Sequence, residues 1–307
     1  MTERPLVSII IPCYNHVEFL GPAIDSVMAQ HYREWELIVI NDGSPQTDTL
    51  REIVHRYTGR VHYIEQENRG LVAARNRALE KARGDYVVFL DADDRLLPNA
   101  LDAGVAALNA DPRRGFVWGG RRNIDAEGRM HARQPRPIPL PCSYASLLVT
   151  NIVGPPVSAM FRRSAVAAVG GFSQRTGYAE DFDLAVRVAR DNDIFRYDEL
   201  VAEYRLHGAN RSGDAAQMYR SVRDLLRSYR PTVRGNPALE RALRAGLIDV
   251  REQYIWGPVM HELQIAVRER RWGAVLRSAA ILGFRFPGRF AAYVIRRAPA
   301  RLLSSRS

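Results

Sequence analysis

The chain has 307 residues, 46% of them hydrophobic and 25% charged, enough for one large globular domain or a domain with an appendage. Its net charge of +10 points toward phosphorylated substrates, anionic lipid or nucleic acid, yet ten arginines against two glutamates from His261 onward leave +8 there and the first 260 residues close to neutral. No nucleic-acid-reading element accompanies that charge, so no nucleic-acid partner is expected. Two cysteines in unlike contexts, Cys13 and Cys142, form neither a disulfide framework nor a zinc site and suit a reducing cytoplasm. The start, Met1-Thr2-Glu3-Arg4-Pro5, lacks the features of a signal peptide, and no uncharged apolar run is long enough to span a bilayer. The expected location is therefore cytoplasmic.

Leu6 to Ile11 is a continuous apolar run ended by Pro12, as expected of a fully buried first strand. Phe19, Leu20, Ile24, Val27 and Met28 then recur at helical spacing, which predicts a helix over Val17 to Gln30. A second strand is expected over Glu36 to Ile40, closed by the turn signal Asn41-Asp42-Gly43-Ser44, and a helix over Asp48 to Tyr57. Val61 to Glu65 reads as a third strand, Leu71 to Ala82 as a helix and Tyr86 to Leu90 as a fourth strand. Such alternation predicts an α/β fold with a mostly parallel central sheet and helices on both faces. The first loop carries no G-x-G-x-x-G and the chain has no G-x-x-x-x-G-K-[ST], so both common phosphate-binding loops are missing.

Further along, Pro98 to Ala110 reads as a helix, Gly115 to Asn123 as a strand and Arg133 to Pro141 as an exposed, proline-rich loop. A short helix is expected over Ser143 to Val149, a strand over Val157 to Arg162 and a helix over Ser164 to Val169. Glu180 to Asp191 is an amphipathic helix, and Ile194 to Arg205 contains a strand that runs into His207. After Ser212 strand signals vanish. Helices are expected over Ala215 to Tyr229, Pro237 to Trp256, Val259 to Arg270, Trp272 to Leu282 and Pro287 to Leu303. The change of texture divides the chain into an α/β domain over residues 1–212 and a helical, arginine-rich region over residues 213–307.

The densest chemistry lies where the strand Tyr86 to Leu90 runs into Asp91-Ala92-Asp93-Asp94. Carboxylates this close repel one another unless a cation neutralises them, and hard oxygen ligands suit Mg²⁺ or Mn²⁺ shared with a substrate phosphate. Asp94 and the residues up to Pro98 can equally open a helix. Parallel strands would bring Pro12-Cys13-Tyr14-Asn15, Asn41 to Ser44 and Asp91 to Asp94 to one sheet edge, where open α/β sheets bind ligands. Taken singly, Asn15 and Ser44 also read as ordinary helix caps. A fourth acidic group, Glu180-Asp181, opens a helix.

Together these residues resemble the family 2 glycosyltransferases of the GT-A fold, inverting enzymes that use nucleotide-diphosphate sugars. The likeness is carried, in order, by Val7 to Asn15, Trp35 to Ser44, Asn68 to Asn76, the Asp91 group, Gly170-Gly171-Phe172, Glu180 to Leu184 and Tyr204 to His207. It covers residues 5 to 212 and leaves out the C-terminal third. The resemblance implies that Pro12, Tyr14 and Asn15 line a nucleobase pocket and that Asp42 reads the base. The family often has two aspartates where this chain has Asn41-Asp42; the second, base-reading one is retained. Arg75 would lie by the base or diphosphate, with a solvated helix charge as the alternative. Asp91, with Ala92, would hold the donor ribose or a metal-bound water, and Asp93 and His207 would ligate Mg²⁺ or Mn²⁺. Asp181 matches the general base, while Glu180, Arg205 and Arg211 would stand by the acceptor or diphosphate. A UDP-sugar donor is implied, with transfer of a hexosyl or N-acetylhexosaminyl group. The implied acceptor is a surface polysaccharide or a lipid-linked glycan.

Two other functions remain open at this stage. A degenerate nucleotide-sugar-binding protein would not need Asp93, Asp181 and His207 all intact. A sugar-1-phosphate nucleotidyltransferase would need a glycine-rich N-terminal loop with a lysine downstream, and the one lysine here is Lys81. In the tail, Ile281 to Leu303 sets Phe284, Phe286, Phe290, Tyr293, Val294 and Ile295 against Arg285, Arg289, Arg296, Arg297 and Arg301. Such a segment either lies peripherally in the interface of an anionic membrane or packs on the catalytic domain.

Overall fold

The alternating signals of the N-terminal third form a parallel unit in the computed structural model, which describes residues 4–135, 140–208 and 210–297. Strands β1 (Val7–Cys13), β2 (Trp35–Asp42), β3 (Val61–Gln66) and β4 (Tyr86–Phe89) lie in the spatial order β3-β2-β1-β4. Helices α1 (Val17–Met28), α2 (Thr47–His55) and α3 (Leu71–Lys81) connect them. β1 and β4 are buried along their whole length, which explains their unbroken apolar runs.

The sheet extends from β4 through β7 (Ala159–Arg162), β6 (Arg114–Ile124) and β8 (Asp193–Arg205) to the two-residue edge strand β5 (Arg95–Leu96). β7 is antiparallel to both β4 and β6, β8 is parallel to β6, and β5 is antiparallel to β8. Strand order reverses between β1 and β4, and such a reversal opens a crevice at the carboxyl ends of the strands. β5 has no counterpart in the sequence reading, because two residues carry no periodicity. Its presence corrects the reading of Asp94: the chain goes from Asp94 into β5, and helix α4 (Ala100–Asn109) starts only after the turn at Pro98.

Each face of the sheet is covered by an apolar layer. On one side Leu20, Ile24 and Leu101 pack with Ile9, Ile11 and Val39. On the other, α3, α5 (Tyr144–Val149) and α7 (Glu180–Asp191) cover Phe89, Phe116 and Phe161, while α6 (Arg163–Ala168) follows β7. This second layer does not stop at residue 212. α8 (Ala215–Ser228), α9 (Arg230–Val233) and α10 (Pro237–Arg251) add Leu225, Leu226, Val233 and Leu243 to it. Gly246 lets α10 approach α5 closely, since a Cβ there would run into the Leu148 carbonyl oxygen.

The helix expected over Pro237 to Trp256 changes pitch at its end, where Glu252–Trp256 is π-helical. Beyond it, α11 (Gly257–Arg268), α12 (Trp272–Arg285) and α13 (Pro287–Arg297) share a small core of Met260, Leu263 and Leu282. Residues 136–139 of the proline-rich loop, and the part of the last expected helix beyond Arg297, lie outside the described residues. No helix among the described residues is long and apolar enough to cross a membrane.

Candidate active site

β1, β2 and β4 deliver their end residues to the crevice. Pro12 is buried in β1, and the chain leaves the sheet at Tyr14, which is 40% exposed, followed by the exposed Asn15. Neither Asn15 nor Ser44 is a helix cap: α1 starts after His16, in the left-handed region at φ 62, and α2 after Gln46. Ser44 belongs instead to a turn in which its N–H donates to Asn41 Oδ1 at 2.8 Å. Asp42, at the end of β2, is buried. Its Oδ1 accepts from Gln66 Nε2 at 2.7 Å and from the Arg69 N–H at 2.9 Å.

At the end of β4, Asp91, Asp93 and Asp94 each offer a carboxylate oxygen, and the three oxygens lie within 4.8 Å of one another. Ala92 between them is buried. His207 Nε2 lies 2.9 Å from Asp93 Oδ2, and its ring packs against those of His16 and Phe19 at 4.8 and 5.5 Å between centroids. Asp94 Oδ1 accepts from the Arg205 N–H, while Oδ2 is buried with no partner among the described residues. Burial, then the charges of Asp93 and Asp91, raise the Asp94 carboxyl well above the ordinary range. Burial likewise raises Asp93, with Asp91 adding to the effect and His207 opposing it. A cluster of hard oxygens that resists full ionisation alone, with one buried oxygen unpartnered, fits a divalent cation.

Arg75 is fully buried, which excludes the solvated helix charge. Its guanidinium donates to Asp91 Oδ1 and to Asp181 Oδ1, both at 2.6 Å, lies 3.7 Å from Glu180, and rests over the Phe172 ring at 5.2 Å. Burial works against its charge, and Asp181, Asp91 and Glu180 more than offset that, holding its pKa above the usual arginine value. The next residue, Asn76, fixes Phe172 by two hydrogen bonds, donating to its carbonyl at 2.9 Å and accepting from its N–H at 2.8 Å. Gly171 sits at φ +71, with no room for a Cβ beside Asn76 Oδ1. The Asn68 to Asn76 and Gly170 to Phe172 stretches thus form one platform under the acids. Sequence reasoning did not foresee that joining, because 96 residues separate Asn76 from Phe172.

Asp181 opens α7 facing the crevice, 28% exposed. Burial raises its carboxyl, Arg75 pulls it down, and Glu180 and Asp91 add to the rise; it is pushed up to about 7. Glu180 is buried, with Oε1 accepting from the Arg211 guanidinium at 2.7 Å and Oε2 without a partner among the described residues. Asp183 points away, as its helix position predicts, accepting from Tyr229 Oη at 2.8 Å and Arg187 Nε at 2.7 Å. Arg205 has a structural task the sequence does not show. Its Nε donates to the Asp93 carbonyl and its Nη1 to those of Asp125 and Ala126, at 2.8 to 3.0 Å, and the guanidinium stacks over Phe19, so it braces the acid loop.

A parallel unit ending in carboxylates at its crevice, followed by an acidic helix start and an antiparallel half-sheet, defines the GT-A fold of nucleotide-diphospho-sugar transferases. The fold is similar to that of a mannosyltransferase from Pyrobaculum calidifontis in complex with GDP-Man and Mn²⁺, with a TM-score of 0.62 and 23% identity, covering 99% of this chain and 89% of that one. It is also similar to S. aureus TarS 1-349 in complex with UDP-GlcNAc, with a TM-score of 0.66 and 16% identity over 90% and 80% of the two chains. In sequence, Escherichia coli chondroitin synthase is 30% identical over 211 residues, 68% of this chain and 30% of that one. The chain spans about a third of the length of several curated relatives that it matches. The profile of glycosyl transferase family 2 matches residues 8–170, and the chain belongs to that family.

Proposed function

We propose that the protein transfers a sugar, with inversion, from a UDP-linked donor to an acceptor hydroxyl during assembly of a surface polysaccharide or lipid-linked glycan. The observation that carries this reading is Arg75, whose guanidinium ties Asp91 on the donor side to Asp181 on the acceptor side at 2.6 Å each. Tyr14 offers an exposed ring on which a base can stack, and Asp42 stands at the end of β2 with Oδ1 held by Gln66 and the Arg69 N–H. Asp93 and His207, with Asp91, would hold Mg²⁺ or Mn²⁺. Bound there, the cation would offset the charge that builds on the departing diphosphate.

Asp181 acts as the general base. Its Oδ1 is held by Arg75, and Oδ2 takes the proton of the acceptor hydroxyl. The acceptor oxygen then forms its bond to the anomeric carbon from the face opposite the diphosphate. The bond from that carbon to the diphosphate oxygen breaks, its electron pair leaves with the nucleoside diphosphate, and the configuration inverts. The reaction is placed in the cytoplasm, with the basic C-terminal helices toward the membrane when the acceptor is lipid-linked. Asp181→Asn is expected to lower transfer by about 10²–10⁴-fold while sparing donor binding. Retained turnover would remove Asp181 from this role.

A further inference from the structure

Beyond Glu252 the fold leaves an apolar face with no partner among the described residues. In α12, Trp272, Leu276, Ala280 and Phe284 recur every fourth residue on one side; Trp272 is 64% exposed, Leu276 71% and Phe284 85%. Ala274, Ser278 and Leu282 on the opposite side are buried. At about 1.5 Å per residue the stripe is roughly 18 Å long. Single exposed apolar residues are ordinary, whereas an uninterrupted stripe with an aromatic at each end marks a contact surface. This surface shares Phe284 and Arg285 with the segment the sequence pattern suggests but not its other aromatics. Phe286, Phe290 and Tyr293 turn inward and pack against the small core of Met260, Leu263 and Leu282.

Charge identifies what covers the stripe. Six arginines and one glutamate lie between Arg268 and Arg289, and Arg277 and Arg285 are exposed on α12 itself. At the end of α12 an open cleft of about 280 Å³ is lined by Arg251, Arg285 and Arg289 together with Glu252 and the exposed Ile248. Glu252 is paired with Arg289, so the cleft keeps a positive excess.

We infer that α12 is a docking face for an anionic lipid bilayer. Trp272, Leu276 and Phe284 enter the boundary between headgroups and acyl chains, and the arginines around them meet lipid phosphates. A second copy of the chain fits less well, because it would bring the same arginines against these. The face contributes no residue to the crevice, and the inference stands whether or not the transferase reading does.

Flotation of the 307-residue chain with vesicles tests it. Wild-type protein floats with vesicles of phosphatidylglycerol and phosphatidylcholine, stays behind with phosphatidylcholine alone, and is released by salt. Leu276→Glu/Phe284→Glu lowers the bound fraction at least about tenfold, with the melting temperature unchanged because both side chains already face solvent. Arg277→Glu/Arg285→Glu does the same through charge alone. Three results would overturn the inference: no flotation with either lipid, equal flotation with both, or a concentration-dependent dimer that Leu276→Glu/Phe284→Glu dissolves without any vesicle binding.

Discussion

Replacing Arg75 by methionine preserves an apolar stem and removes the guanidinium. Asp91 and Asp181 each lose a partner at 2.6 Å, and Glu180 loses one at 3.7 Å. Stripping one side from a buried ion pair costs about 3–5 kcal/mol. Asp91 and Asp181 are 30% and 28% exposed, so water recovers part of that, and the lower end, about 3 kcal/mol, is expected. For a domain of this size the melting temperature falls by roughly 6–12 °C. The loss also depends on pH. Burial has already pushed Asp181 up to about 7 against the pull of Arg75, and without that pull the carboxyl is harder still to ionise. A carboxyl raised in the folded state contributes stability at low pH that is lost as pH rises through its folded pKa. The variant is therefore penalised more at alkaline than at acidic pH. Catalysis moves in the matching sense, because the base works ionised: the rise of transfer rate near pH 7 shifts to higher pH. Circular-dichroism melts over a pH series and a pH–rate profile measure both effects, and adding Asp181→Asn restores part of the stability. Melting within roughly 1 °C of wild type at every pH, with an unmoved rate profile, would refute the reasoning.

Two further outcomes follow from the same geometry. Asp93→Ala removes a cluster oxygen and the partner of His207; calorimetric titration with a UDP-sugar and Mn²⁺ should show donor affinity reduced by about 10–100-fold or more, and unchanged heat counts against the metal assignment. Gly246→Ala drives a methyl group into the Leu148 carbonyl and should cost about 2–3 kcal/mol in denaturant unfolding; an unchanged midpoint would mean that α10 and α5 are not packed as described.

The strands were legible because β1 and β4 are buried on both faces and therefore read as apolar runs. α7 was legible from its amphipathic period and acidic first turn, a signal that is complete within twelve residues. The arginines were not. Arg75, Arg205 and Arg211 look alike in a string, yet one is a buried clamp, one braces a loop through carbonyls, and one is a half-exposed partner of Glu180. What separates them is the company each keeps after folding, and those partners lie up to 112 residues away. The same limit applies to Asp94, whose local string fits a helix start while β5 and the Arg205 N–H claim it instead. In the tail, composition flagged a basic apolar segment, but only the packing of α11 to α13 decides which aromatics face out.

The hydrogen bond from Tyr229 to Asp183 has a consequence for how such chains can diversify. It fastens the back of α7, the helix that presents Glu180 and Asp181, to the helices after residue 212, and Arg187 adds a second tie to the Gly171 carbonyl. The stretch up to about α10 thus braces α7 from behind, and its replacement by an unrelated segment would leave α7 unaimed. The seam at which evolution, or an engineer, could graft a different module lies instead at the π-helical turn Glu252–Trp256, where the shared core ends and a small, self-contained helical unit begins.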